Sequence, residues 1–117
     1  MNYSIINTQT IRNNMYGNTE LLKQFITLYL EQTPNDIIAI KNALKVKDQQ
    51  TIRTTAHHIK PTLRYIGAEQ LFLMINELEI AAQKPNNWGI ISNLINQVLP
   101  QLQLMTNEMQ DFYLSIQ

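Results

Sequence analysis

From Ile91 onward the sequence places an apolar side chain at alternating steps of four and three residues, through Ile95, Val98, Leu102, Met105 and Met109 to Phe112. At roughly 100° per residue these positions form one narrow stripe along a helix of many turns, and a stripe that long has to be covered by other helices. The helix should run from about Trp88 to Ser115, bending at Pro100 rather than ending there. Only three glycines and four prolines interrupt the 117 residues, and no alternating strand pattern competes with the helical period.

The remaining segments supply the covering partners. A short helix is expected over Thr8 to Met15, with Gly17 as its stop and Asn18 as the next cap. A second helix, from about Thr19 to Gln32, would bury Leu22, Phe25, Ile26 and Tyr29. Thr33 then reads as a cap and Pro34 as the first residue of a third helix, where its missing N–H is harmless. That helix would carry Ile37, Ile38, Ile40 and Leu44 and close near Lys47. Asp48 looks like the next N-cap, Gly67 the following stop, and a further helix from about Ala68 keeps Leu71, Ile75, Leu78 and Ala82 in register. Leu73 and Ile80 fall on its other side; another helix covers them, or they mark a docking or self-association surface. The turn KPNN leads into the C-terminal helix. The expected architecture is all-α: an antiparallel four-helix bundle with an additional short N-terminal helix, forming one domain over residues 1–117.

Composition narrows the chemistry. Cysteine is absent, which excludes thiol catalysis and cysteinyl metal sites. Nine basic and nine acidic residues leave no net field to favour nucleic acid or an anionic membrane. Six of the cations (Lys41, Lys45, Lys47, Arg53, Lys60, Arg64) nevertheless fall between positions 41 and 64, where Asp48 is the one acid, so an acidic or phosphorylated partner fits. The N-terminus lacks a signal-peptide pattern and no apolar run approaches membrane-spanning length, so a soluble cytoplasmic protein is expected.

The stretch Thr51 to Ala68 carries the candidate site. Ile52, Ala56, Ile59, Leu63 and Ile66 form its apolar seam, while Arg53, His57, Lys60, Pro61 and Arg64 take the opposite third, the three cations within roughly 60° of the imidazole. His57 and His58 are consecutive and diverge by about 100°, whereas helical metal ligands need three- or four-residue spacing. A hydrolytic enzyme has no H-E-x-x-H, no G-x-S-x-G and no acid close in sequence to orient the ring. What remains is a solvent-facing imidazole acting as nucleophile toward an anion, with neighbouring cations stabilising charge on the transferring group. Lys60, one turn on, is placed to contact phosphoryl oxygens, and Arg64 to add a second cation or meet a partner's acids.

The run Ala56-His57-x-x-Lys60, then Thr62, Ile66-Gly67-Ala68, Leu71 and Leu78-Glu79, resembles the signature of histidine-containing phosphotransfer (HPt) domains, and the leader LLKQFITLYLEQTPNDIIAIKNAL resembles their first helices. The resemblance implies a helical bundle that carries a phosphoryl group between receiver-domain aspartates, or from a histidine-kinase module to a response regulator. On that likeness His57 is the phosphoacceptor, Lys60 the phosphoryl contact, and Arg53, Pro61 and Arg64 face the partner. The implied partners are receiver domains or a hybrid sensor histidine kinase, with no metal, no cofactor and no catalysis by the carrier alone; a monomer is expected. Pro61 stands where the family pattern has glycine and should bend the helix at His57. It also supports the alternative of an HPt-like module that regulates a kinase or receiver by binding without phosphorylation.

Overall fold

The computed structural model describes residues 2–117 and is all-helical among them. Five helices follow in order: α1 (Thr8–Asn14), α2 (Thr19–Val46), α3 (Gln49–Tyr65), α4 (Glu69–Ala81) and α5 (Trp88–Ser115). Short connections force the four long helices to alternate in direction, and α2–α3, α3–α4, α4–α5 and α5–α2 all pack, which closes an antiparallel bundle. At 28 residues each, α2 and α5 are about 42 Å long. They set the longest dimension of the molecule, 46 Å, against 21 and 20 Å across.

The caps are local chemistry. Asn7, Asn18 and Asp48 each turn a side-chain oxygen onto the backbone N–H three residues on, at 3.0, 3.0 and 3.1 Å, stopping α1, α2 and α3 from fraying. Lys47 closes α2 in the left-handed region at φ 55°. Gly67 closes α3 at φ 70°, and there glycine is required twice over. Besides the backbone angle, an added Cβ would sit 2.7 Å from Cβ of Asn7. That closeness exists because α1 lies over the end of α3: Asn7 N–H donates to the Ile66 carbonyl at 2.9 Å and the Asn14 amide to the Tyr65 carbonyl at 2.9 Å.

The break expected at Thr33 and Pro34 does not occur, and α2 runs through both. Leu22, Ile26, Tyr29, Thr33, Ile37, Ile40 and Ala43 make one continuous buried seam, so ending the helix at Thr33 would misalign half of it. Thr33 is buried within that seam instead of capping, and Pro34 faces solvent, the convex side on which a lost helix bond is tolerated. Ile38 is 54% exposed because it lies off this seam. Helix α5 passes Pro100 in the same way, with Ile91, Ile95, Val98, Leu102, Met105, Met109 and Phe112 all buried.

Before α1, the chain is strapped to α5 by one carboxylate. Glu108 is buried and accepts backbone N–H groups from Ser4 (2.8 Å), Ile5 (2.9 Å) and Ile6 (3.0 Å), which anchors Ile6 in the core. Leu73 and Ile80 are not covered: they are 55% and 47% exposed on the outer side of α4. No helix among the described residues is long and apolar enough to cross a membrane.

Candidate functional site

The seam Ile52, Ala56, Ile59, Leu63 and Ile66 is entirely buried, which turns the opposite face of α3 outward. His57 stands on that face with its side chain 75% exposed. Its ring does not hang free, because Nδ1 lies 2.8 Å from Oε2 of Glu79, which reaches across from α4. The other carboxylate oxygen, Oε1, lies 2.6 Å from Nζ of Lys60, and Nζ also donates to Oδ1 of Asn76 at 3.0 Å. His57 and Lys60, one turn apart on α3, are thus joined through one buried carboxylate.

The charge state of Glu79 fixes the ring. The lysine contact holds its carboxyl below the usual carboxylate range, burial opposes this, and the His57 bond adds to the lowering. An ionised carboxylate can only accept, so Nδ1 of His57 carries a proton, and in the neutral form of the ring the lone pair is on Nε2. Nε2 has no protein partner among the described residues. The sequence led us to expect cations alone around the ring; the structure puts a carboxylate in direct contact and spends Lys60 partly in balancing it. Glu79 lies 22 residues from His57 and on another helix, so the absence of a nearby acid in sequence was misleading.

The other candidates separate. Arg64 folds its guanidinium over the Phe72 ring, 4.3 Å from the centroid, and Lys60 approaches the same ring at 5.8 Å. Arg53 and Pro61 are exposed. Helix α3 continues through Pro61, which has no N–H to donate to the His57 carbonyl. His58 points toward α2, where it lines a cavity of about 290 Å³ with Tyr29, Thr33, Asp36 and Thr62 and does not share the Glu79 cluster. No group of three or more His, Asp or Glu side chains among the described residues is arranged to hold a metal ion.

A nucleophilic nitrogen exposed on a helix, oriented from behind and flanked by an ammonium group, suits transfer of a small anionic group. Sensor protein EvgS of Escherichia coli O157:H7 and of Escherichia coli strain K12 are each 21% identical over 110 residues, covering 94% of this chain and 9% of the relative. The chain therefore spans under a tenth of the length of these relatives. No solved structure gives a significant match. The profile of the Hpt domain matches residues 24–112. Because that match runs from the second turn of α2 to the last turn of α5 and takes in His57, Lys60 and Glu79, the chain belongs to the Hpt domain family.

Proposed function

We propose that this Hpt domain carries a phosphoryl group on Nε2 of His57, taking it from a receiver-domain aspartate and passing it to another receiver in a cytoplasmic phosphorelay. The observation that carries the reading is the bond from Nδ1 to Glu79, which leaves the Nε2 lone pair directed at solvent. In the transfer step that lone pair attacks phosphorus, an N–P bond forms, and the P–O bond to the aspartyl carboxylate breaks with its electron pair leaving on the carboxylate oxygen. The ring becomes cationic as the bond forms. Its Nδ1 proton stays in place against Glu79, whose negative charge stabilises the developing imidazolium.

Lys60 is the nearby cation for the phosphoryl oxygens, held ready by Glu79 and Asn76. Arg53, Pro61 and Arg64 form the exposed surface along α3 that a partner would cover. The donor receiver brings its own aspartyl phosphate and metal, so the carrier needs neither cofactor nor catalytic acid. The name of the relatives, sensor proteins, supports a place in signalling, and a hybrid sensor kinase or a free receiver is the partner class this reading requires.

The test is incubation with a phosphorylated receiver, followed by mass spectrometry under conditions that preserve acid-labile phosphohistidine. The label is expected at His57, lost in His57→Gln and retained in His58→Gln. A label at His58, or none on a folded protein across a panel of receivers, overturns the proposal; the latter outcome would leave regulation by binding alone.

A further inference from the structure

The outer side of α4 and the start of α5 carry an apolar groove that the site at His57 does not use. It has a volume of about 310 Å³ and is lined by Ile80 and Ala81 of α4 and by Ile90 and Leu94 of α5, with Glu77 and Lys84 on its rim. Ile80 is 47% and Ile90 57% exposed, and Leu73 continues the bare stripe about two turns toward the start of α4 at 55%. A run of large apolar groups at this exposure on two adjacent helices is a contact surface awaiting an occupant.

The charges on the rim say which occupant. Glu77 and Lys84 are both exposed, and neither makes an ion pair among the described residues. Past Ala81 the chain continues in the helical direction through tight turns, Gln83 N–H to the Ile80 carbonyl and Lys84 N–H to the Ala81 carbonyl. Glu77, Ile80 and Lys84 all line this one groove. Glu77 and Lys84 lie at equal distances on either side of the Ile80–Ala81 junction. A twofold axis through that junction, perpendicular to α4, lays the C-terminal end of a second α4 antiparallel on that of the first, brings Glu77 of each copy to Lys84 of the other, and seats Ile80 of each in the other's groove. A surface that carries its own complement in this register fits a second copy of itself.

We propose that this face forms an isologous homodimer through α4 and the N-terminal turn of α5. Glu79, beside Ile80 in sequence but about 100° round the helix, faces His57, so pairing uses a different face of α4 and leaves both imidazoles accessible. The patch is small, so the dimer is weak and reversible.

Sedimentation equilibrium of the purified chain from about 10 μM to about 1 mM reads this directly, without any phosphotransfer. The weight-average mass is expected to climb from the 13.6 kDa monomer toward twice that value. Ile80→Asp, at an exposed position, should hold the protein monomeric with unchanged helicity. Glu77→Lys and Lys84→Glu should each raise the dissociation constant about tenfold, since each converts two attractive pairs into two repulsive ones. The double variant Glu77→Lys/Lys84→Glu should restore wild-type association. Monomeric mass throughout, association indifferent to Ile80→Asp, or failure of the double variant to recover would overturn the proposal, and the first would leave the groove to a different protein.

Discussion

Replacing Glu79 by glutamine changes one atom and tests the arrangement of the site. If the amide oxygen faces His57, the amide NH₂ meets the Lys60 ammonium, donor against donor. If the oxygen faces Lys60, the NH₂ faces Nδ1, which must then accept, and the ring proton moves to Nε2 and blocks its lone pair. Either way one charge-assisted hydrogen bond is lost, and so is the negative charge beside the forming imidazolium. Such a bond is worth about 1.5–3 kcal/mol where it is buried. His57 is 75% exposed, so water recovers part of it, leaving about 1.4 kcal/mol, or a tenfold slower transfer. Single-turnover transfer from a phosphorylated receiver measures the rate, and ¹⁵N chemical shifts of the imidazole report the tautomer independently. Asn76→Ala, which removes only a contact to Lys60, should leave the tautomer unchanged. A folded Glu79→Gln protein with wild-type tautomer and a rate within about twofold of wild type would refute the assignment of Glu79 as the group that orients the ring. Because Glu79 titrates below its ordinary range in the folded protein, its stabilising contribution is present at neutral pH and is lost as pH falls through the depressed pKa. The stability gap between wild type and Glu79→Gln should therefore narrow on acidification.

Glu108→Gln should cost about 1–2 kcal/mol, since one oxygen can still accept from Ile5 and Ile6 while the new NH₂ opposes Ser4 N–H; Glu108→Ala should cost about 3 kcal/mol. Urea unfolding gives the ranking and amide exchange at residues 4–6 locates it; equal stability of all three proteins would refute the strap. Gly67→Ala should destabilise by about 2 kcal/mol or more through its φ of 70° and the 2.7 Å approach to Asn7, whereas Gly89→Ala, with open space around it in the first turn of α5, should be neutral or gain up to about 0.5 kcal/mol. Burial raises the Asp36 carboxyl above its ordinary range, against an opposing effect of His58, so folding is most favoured while Asp36 is protonated and loses this contribution as pH rises through the raised pKa. Asp36→Asn should consequently raise the melting temperature at neutral pH, with the gain disappearing in acid; a variant less stable than wild type at pH 7 would contradict the burial argument.

The period of the apolar seams made the bundle legible, down to the caps at Asn18 and Asp48 and the stop at Gly67, because those signals are local and each helix buries one stripe. Pro34 misled for the same reason: read locally, Thr-Pro is a helix start, and only the seam continuing from Tyr29 through Thr33 to Ile37 shows that the tertiary contact outweighs one missing bond. His57 and Lys60 were legible because they share a helix face. Glu79 was legible only as a member of the family signature; its bond to His57, like the place of Asn76 beside Lys60, was not, since that relation to α3 exists only once α4 has folded back.

That relation nevertheless obeys a rule simple enough to apply beforehand. Two helices joined by a tight turn run antiparallel, so residues equally distant from the turn come level with one another. Taking Ala68 as the centre, His57 pairs with Glu79, Lys60 with Asn76 and Arg64 with Phe72, and each of these pairs is in contact between α3 and α4. Once Gly67 is recognised as the stop, the acid that orients His57 is located by counting an equal number of residues the other way, provided that α4 turns the right face inward. Leu71, Ile75 and Leu78 settle that face, for burying them brings Asn76 and Glu79 beside α3 and turns Leu73 and Ile80 out to solvent. The carboxylate behind the imidazole and the bare stripe proposed for self-association are therefore two consequences of one rotational setting of α4, and a substitution that rolled the helix would disturb both together.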